Sequence, residues 1–312
     1  MSASARVVLG LPLYNSAGHI REAVESLLTQ TYERFVVIAV DDSSTDDTCA
    51  TVREYASGDD RLLLFENERR LGLVGNWRRC FDLARERAPH PAYFAWASDH
   101  DAWHPRWLEA MVGELEAHPE AVLAYPLAVR VDARGELLQQ PWTFDTAGFR
   151  TPLERFRAAS RGMVAGDMIY GLARVDALER AGAFPLSLMP DRLLLAQLSL
   201  LGEFRQVPEA LWQRRVLRAS SIRSQRRSLF GQKRPRHAHL PWWMEHFALL
   251  ANRLVLRPDG ALPVSRAQGA GAALAYLGAS AGVAARNAVL GGGATLLRLA
   301  LSLARRVRAR AG

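Results

Sequence analysis

Short apolar runs alternate with amphipathic stretches over the first two-thirds of the chain. RVVLGL (residues 6–11) and FVVIAV (35–40) are rich in β-branched residues with no charge inside their cores, so each predicts a buried strand. Between them, HIREAVESLLTQ places Ile20, Val24, Leu27 and Leu28 at helical spacing. The alternation continues with a helix over Thr48–Tyr55, a strand over Arg61–Phe65, a helix near Gly75–Arg87 and the strand AYFAWAS. PRWLEAMVGELEAH (Pro105–His118) predicts a helix with proline in its first turn and Leu108, Met111, Val112 and Leu115 on its apolar face. AVLAYPLAVRV follows as a strand, and residues 135–160, mixed polar and aromatic, predict loops over the sheet. MVAGDMIYGLARVDALERAG predicts a strand plus a helix, and Asp191–Leu201 a further helix. This order predicts an α/β fold, a Rossmann-like, mostly parallel central sheet with helices on both faces and right-handed crossovers.

The pattern changes after Pro208. Residues 210–312 carry eighteen Arg or Lys against two acidic residues, a net +16, which leaves the first 209 at −8. The chain therefore divides by composition into a body over 1–215 and a basic, Ala/Gly-rich region over 216–312. Such a tail predicts an anionic partner, and nucleic acid and the cytoplasmic face of a membrane both qualify. Ala267–Ala285 is uncharged and long enough to cross a bilayer but poor in Leu, Ile and Phe, while LLRLALSLARRVRARAG fits an interfacial helix on anionic lipid. No secretory pattern precedes the first strand, and two cysteines (Cys49, Cys80) make no disulfide framework. The expected location is cytoplasmic, peripheral on the cytoplasmic face of the inner membrane.

In open parallel sheets ligands bind at the carboxyl ends of strands, and polar motifs fall there. LPLYNS brings Pro12, Tyr14 as a flat face for a nucleobase, and Asn15 to bond or cap the next helix. VDDSSTDDT packs Asp41, Asp42, Asp46 and Asp47 into one turn, where a carboxylate can accept from a base N–H or a ribose hydroxyl. NERRLGLVGNW offers Arg69 or Arg70 to a diphosphate and Asn76 as support, with Gly72 and Gly75 permitting close backbone approach. In FAWASDHDAWHP, Asp99 and Asp101 flank His100; two carboxylates two apart can converge on one hard cation whose other positions go to phosphate and water. His100 reads as packing or surface.

The order of LPLYNS, VDDSSTDDT, the NERRLGLVGNW loop and WASDHDAW resembles glycosyltransferase family 2, the inverting, nucleotide-sugar-dependent enzymes of GT-A fold, over residues 6 to about 215. The resemblance implies that Asp41 reads the nucleobase with Tyr14 nearby, that Asp99 lies near the donor ribose or sugar, and that Asp101 is the principal carboxylate on Mg²⁺ or Mn²⁺. It makes Asp191, in MPDRLLLAQLSLLG, the catalytic base, with Pro190 standing where members often have Glu. In LWQRRVLRASS it places Arg215 and Arg218 over the diphosphate. The implied reaction moves a sugar from a nucleotide-diphosphate-sugar to a hydroxyl of a saccharide or lipid-linked acceptor, in cell-envelope polysaccharide synthesis.

Two rival classes fit less well. A nucleotidyltransferase would carry a glycine-rich, basic phosphate loop after the first strand, which LPLYNSAGH lacks. A non-catalytic membrane- or nucleic-acid-binding protein using the basic C-terminal region leaves the strand-end motifs unexplained. Between residues 210 and 230 only Trp212 precedes Phe230 as an aromatic, so base stacking has little to work with and no specific nucleic acid is expected.

Overall fold

The first strand, β1 (Val7–Leu13), runs through the centre of the molecule and is buried on both faces. The computed structural model describes residues 5–88, 90–139, 141–217, 226 and 240–286. β2 (Phe35–Asp41), β3 (Leu62–Glu66) and β4 (Tyr93–Trp96) lie parallel to β1 in the order β3-β2-β1-β4. Helices α1 (Ile20–Leu28), α2 (Thr48–Ala56) and α3 (Gly72–Arg87) make the crossovers. This half matches the sequence pattern closely, because β1, β2 and β4 are buried on both faces and the helices bury one side.

The second half turns the sheet mixed. β5 (Ala102–Trp103) and α4 (Trp107–Ala117) lead into β6 (Ala121–Val131), which carries the short β7 (Leu137–Gln139) on its edge. β8 (Leu172–Arg174) inserts antiparallel between β4 and β6, and β9 (Glu203–Arg215) pairs parallel with β6 and antiparallel with β5.

Two elements depart from the expectation. The region over 135–160, expected as loops, contains α5 (Pro152–Gly162), opened by a Thr151/Glu154 capping box with Pro152 in the first turn. The stretch after the helix from Asp191, for which the pattern predicts no strand, forms β9 through Arg215. The remaining helices are α6 (Ala165–Met168), α7 (Val175–Ala181) and α8 (Pro190–Leu198).

Alternation along β1 divides the core. Val7, Leu9, Leu11 and Leu13 face the layer holding α1 and α4, whereas Val8 faces α3 and the helices of the second half. Gly10 falls on the second face, where an added Cβ would meet Phe94 Cζ at 2.7 Å and Cys80 Cβ at 2.8 Å. The strand has no side chain there because Phe94 and Cys80 already fill the space.

The described C-terminal residues join that same core. A helix over Trp242–Ala251, a π-helical turn over Asn252–Leu256 and a helix over 266–286 bury Leu250, Leu254, Ala272, Ala273 and Tyr276 with Phe156 and Leu194. The uncharged stretch 267–285 thus packs one side on the protein. Among the described residues no helix is long and apolar enough to cross a membrane. The segment LLRLALSLARRVRARAG over 296–312, expected as an interfacial helix, lies outside the described residues.

One contact in this layer is titratable. His246 is fully buried, with Nδ1 2.7 Å from the Tyr276 hydroxyl and Nε2 2.6 Å from the Leu188 carbonyl. A neutral ring serves both, with Nε2–H donating to the carbonyl and Nδ1 accepting from the hydroxyl, and burial favours that form over the imidazolium. Burial lowers its pKa to about 4, from an ordinary 6.5. The unfolded chain therefore takes up the proton first. The stability this group contributes is intact above pH 6.5 and is lost as pH falls from there towards 4, by roughly 3 kcal/mol. Urea unfolding of wild type and His246→Gln between pH 7 and 4 checks this, since only the wild type should carry that increment; equal slopes would contradict it.

Candidate active site

The carboxyl ends of β1, β2 and β4 open onto a cleft of about 250 Å³, and six of the sequence-predicted residues line it: Pro12, Tyr14, Asp42, Arg70, Asn76 and Asp99. Leu13, Leu73, Trp77, Ser98, His100 and Tyr170 complete the wall.

Asp42 explains how one wall is held. It is buried, and its carboxylate accepts the backbone N–H of Leu71 at 2.6 Å and of Gly72 at 2.8 Å, with the Asn67 side-chain amide at 3.1 Å. Those N–H groups begin α3, where no preceding turn can satisfy them and an anion is favoured. Gly72 sits there at φ +76°, a conformation that glycine adopts without strain. Buried Asn76 then fastens α3 to the sheet, donating to the Val40 carbonyl at 2.8 Å and accepting from Asn67 at 2.9 Å. The loop between these anchors carries Arg70, whose guanidinium lies 3.7 Å from the centroid of the Tyr14 ring and 3.9 Å from Asp42. The ring face expected to meet a nucleobase is therefore shared with a guanidinium.

Asn15 does not cap α1. Its Oδ1 accepts the Thr45 N–H at 2.8 Å and its own N–H donates to Ser44 at 3.1 Å, so it ties the β1 turn to the acidic turn. Asp41 lies behind the cleft wall and is buried. One of its oxygens accepts the Ser44 N–H at 2.9 Å, while Oδ1 is buried with no hydrogen-bond partner among the described residues.

Residues 99 and 100 form a turn, the geometry in which the two carboxylates of Asp-His-Asp are expected to serve one cation, and each is anchored by different partners. Asp99 reaches β1's end: its Oδ2 accepts from Ser16 Oγ at 2.5 Å and from the Tyr14 N–H at 3.2 Å. Asp101 is buried and accepts the Arg215 N–H at 2.7 Å. Burial raises the Asp101 pKa, with the neighbouring His100 and the Arg215 N–H working against it. His100, expected as packing or surface, lines the cleft with Nδ1 2.7 Å from Asp99 Oδ1 and 3.1 Å from Ser98 Oγ. Burial would lower its pKa, but the hydrogen bond and charge of Asp99 outweigh that and the net shift is upward.

Arg215 holds this turn from β9: its guanidinium donates to the His100 carbonyl at 2.7 Å and to Glu22 at 2.9 Å. Arg214, which the sequence reading passed over, faces the other side of the strand, pairs with Asp167 and passes close over Gly166. Its charge lowers the pKa of Asp101, His100 and Asp191, so it stands near all three. Arg218 lies outside the described residues.

Asp191 sits in the first turn of α8, following Met189 at φ +49° and Pro190. Burial raises its pKa, opposed chiefly by the Arg192 N–H and guanidinium. Tyr170 joins it to the cleft: its hydroxyl feels the charges of Asp101, Asp99 and Asp191, and its ring packs 5.5 Å from Trp77 and 5.1 Å from Trp212. The cleft thus offers anchored carboxylates and an arginine, while Asp191 lies outside its lining and is linked to it through Tyr170.

Among the described residues no group of three or more His, Cys, Asp or Glu side chains gathers as a preformed metal cage. The donor set still fits a hard divalent cation, which commonly takes one or two carboxylates and completes its shell with substrate phosphates and water.

Putative glycosyltransferase EpsE of Bacillus subtilis (strain 168) is 31% identical over 119 residues, 38% of this chain and 41% of EpsE. The chain thus spans less than half the length of this curated relative. In fold it resembles S. aureus TarS 1–349, with TM-score 0.63, 17% identity and coverage of 91% of this chain and 74% of that one. TarS 1–349 in complex with UDP-GlcNAc gives a TM-score of 0.59 at 16% identity, covering 88% of this chain and 72% of that one. Mannosyltransferase PcManGT from Pyrobaculum calidifontis, in complex with GDP-Man and Mn²⁺, gives 0.51 at 20% identity, covering 93% and 80%. The sheet has the GT-A arrangement that these neighbours share. The sequence profile of glycosyl transferase family 2 matches residues 9–176, from β1 through the cleft-forming turns to the start of α7, and this chain belongs to that family.

Proposed function

We propose that the protein is an inverting glycosyltransferase that transfers a sugar from a nucleotide-diphosphate-sugar to a hydroxyl of a saccharide or lipid-linked acceptor in cell-envelope polysaccharide synthesis. The observation that carries this reading is the convergence of Pro12, Tyr14, Asp42, Arg70, Asn76 and Asp99 on one cleft at the strand ends. The TarS neighbour's complex with UDP-GlcNAc and the PcManGT complex with GDP-Man and Mn²⁺ support the same ligand class.

In this reading the nucleotide lies against the β1 and β2 ends. Asp41 Oδ1, buried without a partner among the described residues, is the acceptor for a base N–H. Arg70 stands at the rim as a cation for phosphate. Asp99 and Asp101 would hold Mg²⁺ or Mn²⁺, which supplies charge neutralisation for the leaving diphosphate. Arg214 adds fixed positive charge on the same side, and Arg215 keeps the Asp-His-Asp turn in place.

Asp191 serves as general base. The acceptor O–H gives its proton to the Asp191 carboxylate, the oxygen forms a bond to the anomeric carbon from the far side, and the bond to the phosphate oxygen breaks. The nucleoside diphosphate leaves and the anomeric configuration inverts. A carboxyl with a raised pKa suits this step, since it binds the proton more firmly than an exposed carboxylate does. The basic C-terminal region would bring the enzyme to an anionic membrane surface where a lipid-linked acceptor resides.

The donor assignment is tested by thermal denaturation with UDP- and GDP-sugars in the presence of Mn²⁺. A bound donor at a hundred times its Kd adds about 2.7 kcal/mol and a clear rise in Tm. No rise with any nucleotide-sugar at millimolar concentration would contradict the reading.

A further inference from the structure

The helix over Trp242–Ala251 lies beyond the segment matched to the family, yet its contacts concentrate on the residues that flank Asp191. Leu188 is gripped at both ends of its backbone: its N–H donates to Glu245 Oε2 at 3.3 Å, and its carbonyl accepts from His246 Nε2 at 2.6 Å. Glu245 and His246 are both fully buried. The Leu188 side chain packs with Trp242. On the other side of Asp191, the Arg192 guanidinium lies 5.7 Å from the centroid of the Trp242 ring, and Arg192 is itself buried.

Between these two anchors the backbone is strained. Met189 is a non-glycine residue at φ +49° and ψ +50°, a conformation that persists only where its surroundings hold it. Pro190 then opens α8 with its fixed φ, so the orientation of Asp191 follows from where Leu188 and Met189 are pinned. Packing alone would not require two buried polar side chains on one peptide. Each must be desolvated, and each is matched to one backbone group of Leu188.

We propose that this C-terminal helix is a positioning element for catalysis: Glu245 and His246 hold the Leu188 peptide, Trp242 underlies Arg192, and Asp191 between them is fixed beside Tyr170. The proposal rests on the reading of Asp191 as the base. Tyr276 completes the arrangement, since its hydroxyl at 2.7 Å from Nδ1 leaves the His246 Nε2 proton for Leu188. The charged group facing His246 besides its neighbour Glu245 is Arg192.

The test uses the full chain labelled with [4-¹³C]aspartate, with the Asp191 carboxyl resonance assigned by its loss in Asp191→Asn. In the wild type this carboxyl should titrate above the ordinary aspartate range. In His246→Phe, which keeps a buried ring but cannot donate to Leu188, the titration should move towards the ordinary value by about half a pH unit or more. His246→Gln, whose amide can donate to the same carbonyl, should restore it. An unchanged titration in folded His246→Phe overturns the proposal. Should that variant not fold, Tyr276→Phe is read in its place: it keeps the ring and removes the hydroxyl, and an unchanged Asp191 titration there overturns the proposal equally. The base assignment is tested separately by the turnover of Asp191→Asn, so failure of the one is distinguishable from failure of the other.

Discussion

Replacing Asp191 with Asn should lower sugar transfer by about a thousandfold and leave donor affinity within about twofold. Loss of a positioned general base typically costs 10²–10⁴ in rate. Asn matches Asp in shape but cannot take a proton, so the first turn of α8 should keep its place between Pro190 and Arg192. Donor affinity should hold because the cleft walls are built by β1, β2, α3 and the Asp-His-Asp turn, none of which contains Asp191. A pH profile sharpens the same test. Burial raises the Asp191 pKa, so the acid limb of kcat should fall at a pH above that of an ordinary aspartate, and the limb should vanish in the variant. Initial rates of nucleoside diphosphate release, with donor affinity by calorimetry, provide both numbers.

Removing divalent cation should have the second large effect. EDTA should reduce turnover at least about a hundredfold, with recovery on adding Mn²⁺ or Mg²⁺, because neutralising the leaving diphosphate is worth several kcal/mol. Asp99→Asn should reproduce much of that loss and weaken the response to Mn²⁺. The chemistry behind this is specific to the turn. Asp99 lines the cleft and already holds Ser16, the Tyr14 N–H and His100, whereas Asp101 is buried behind it on the Arg215 N–H. If Asp99→Asn keeps full metal-dependent activity while Asp101→Asn loses it, the cation belongs to Asp101 alone. Insensitivity of the wild type to chelation would remove the metal from the account altogether.

Much of the first half of this molecule is legible in its sequence. Parallel strands buried on both faces read as uncharged β-branched runs, and the chain must turn at their carboxyl ends, so LPLYN, VDD and the turn after Trp96 mark the cleft rim. What the pattern could not show is direction. Asp41 and Asp42 are neighbours on a strand end, so alternation sends one to each face. Only Asp42 lines the cleft, while Asp41 is buried next to it with one oxygen that has no hydrogen-bond partner among the described residues. Asp99 and Asp101 flank a turn at 99–100 that puts Asp99 and His100 on the cleft wall and leaves Asp101 buried outside its lining.

The second half was harder for a different reason. β9 lies near the edge of the sheet, so EFRQVPEALWQRR mixes buried and exposed positions without the clean apolar run of a central strand. Reading it as strand would have set Arg214 and Arg215 on opposite faces and so drawn attention to Arg214. The helix α5 was signalled locally by TPLE, a capping box with proline, but its aromatic and charged surroundings obscured it. The helix over Trp242–Ala251 gives no hint in one dimension that its Glu245 and His246 meet Leu188, because that contact is made 57 and 58 residues away.

The account centres on a donor cleft at the strand ends served by Asp191 at the head of α8. The most direct test is release of nucleoside diphosphate from a panel of UDP- and GDP-sugars with Mn²⁺ and a mixed saccharide and lipid-linked acceptor fraction, comparing wild type with Asp191→Asn. The account predicts acceptor-stimulated release by the wild type from at least one donor, and donor binding without release by the variant. Equal release by the two proteins, or no binding of any nucleotide-sugar by the wild type, would contradict it.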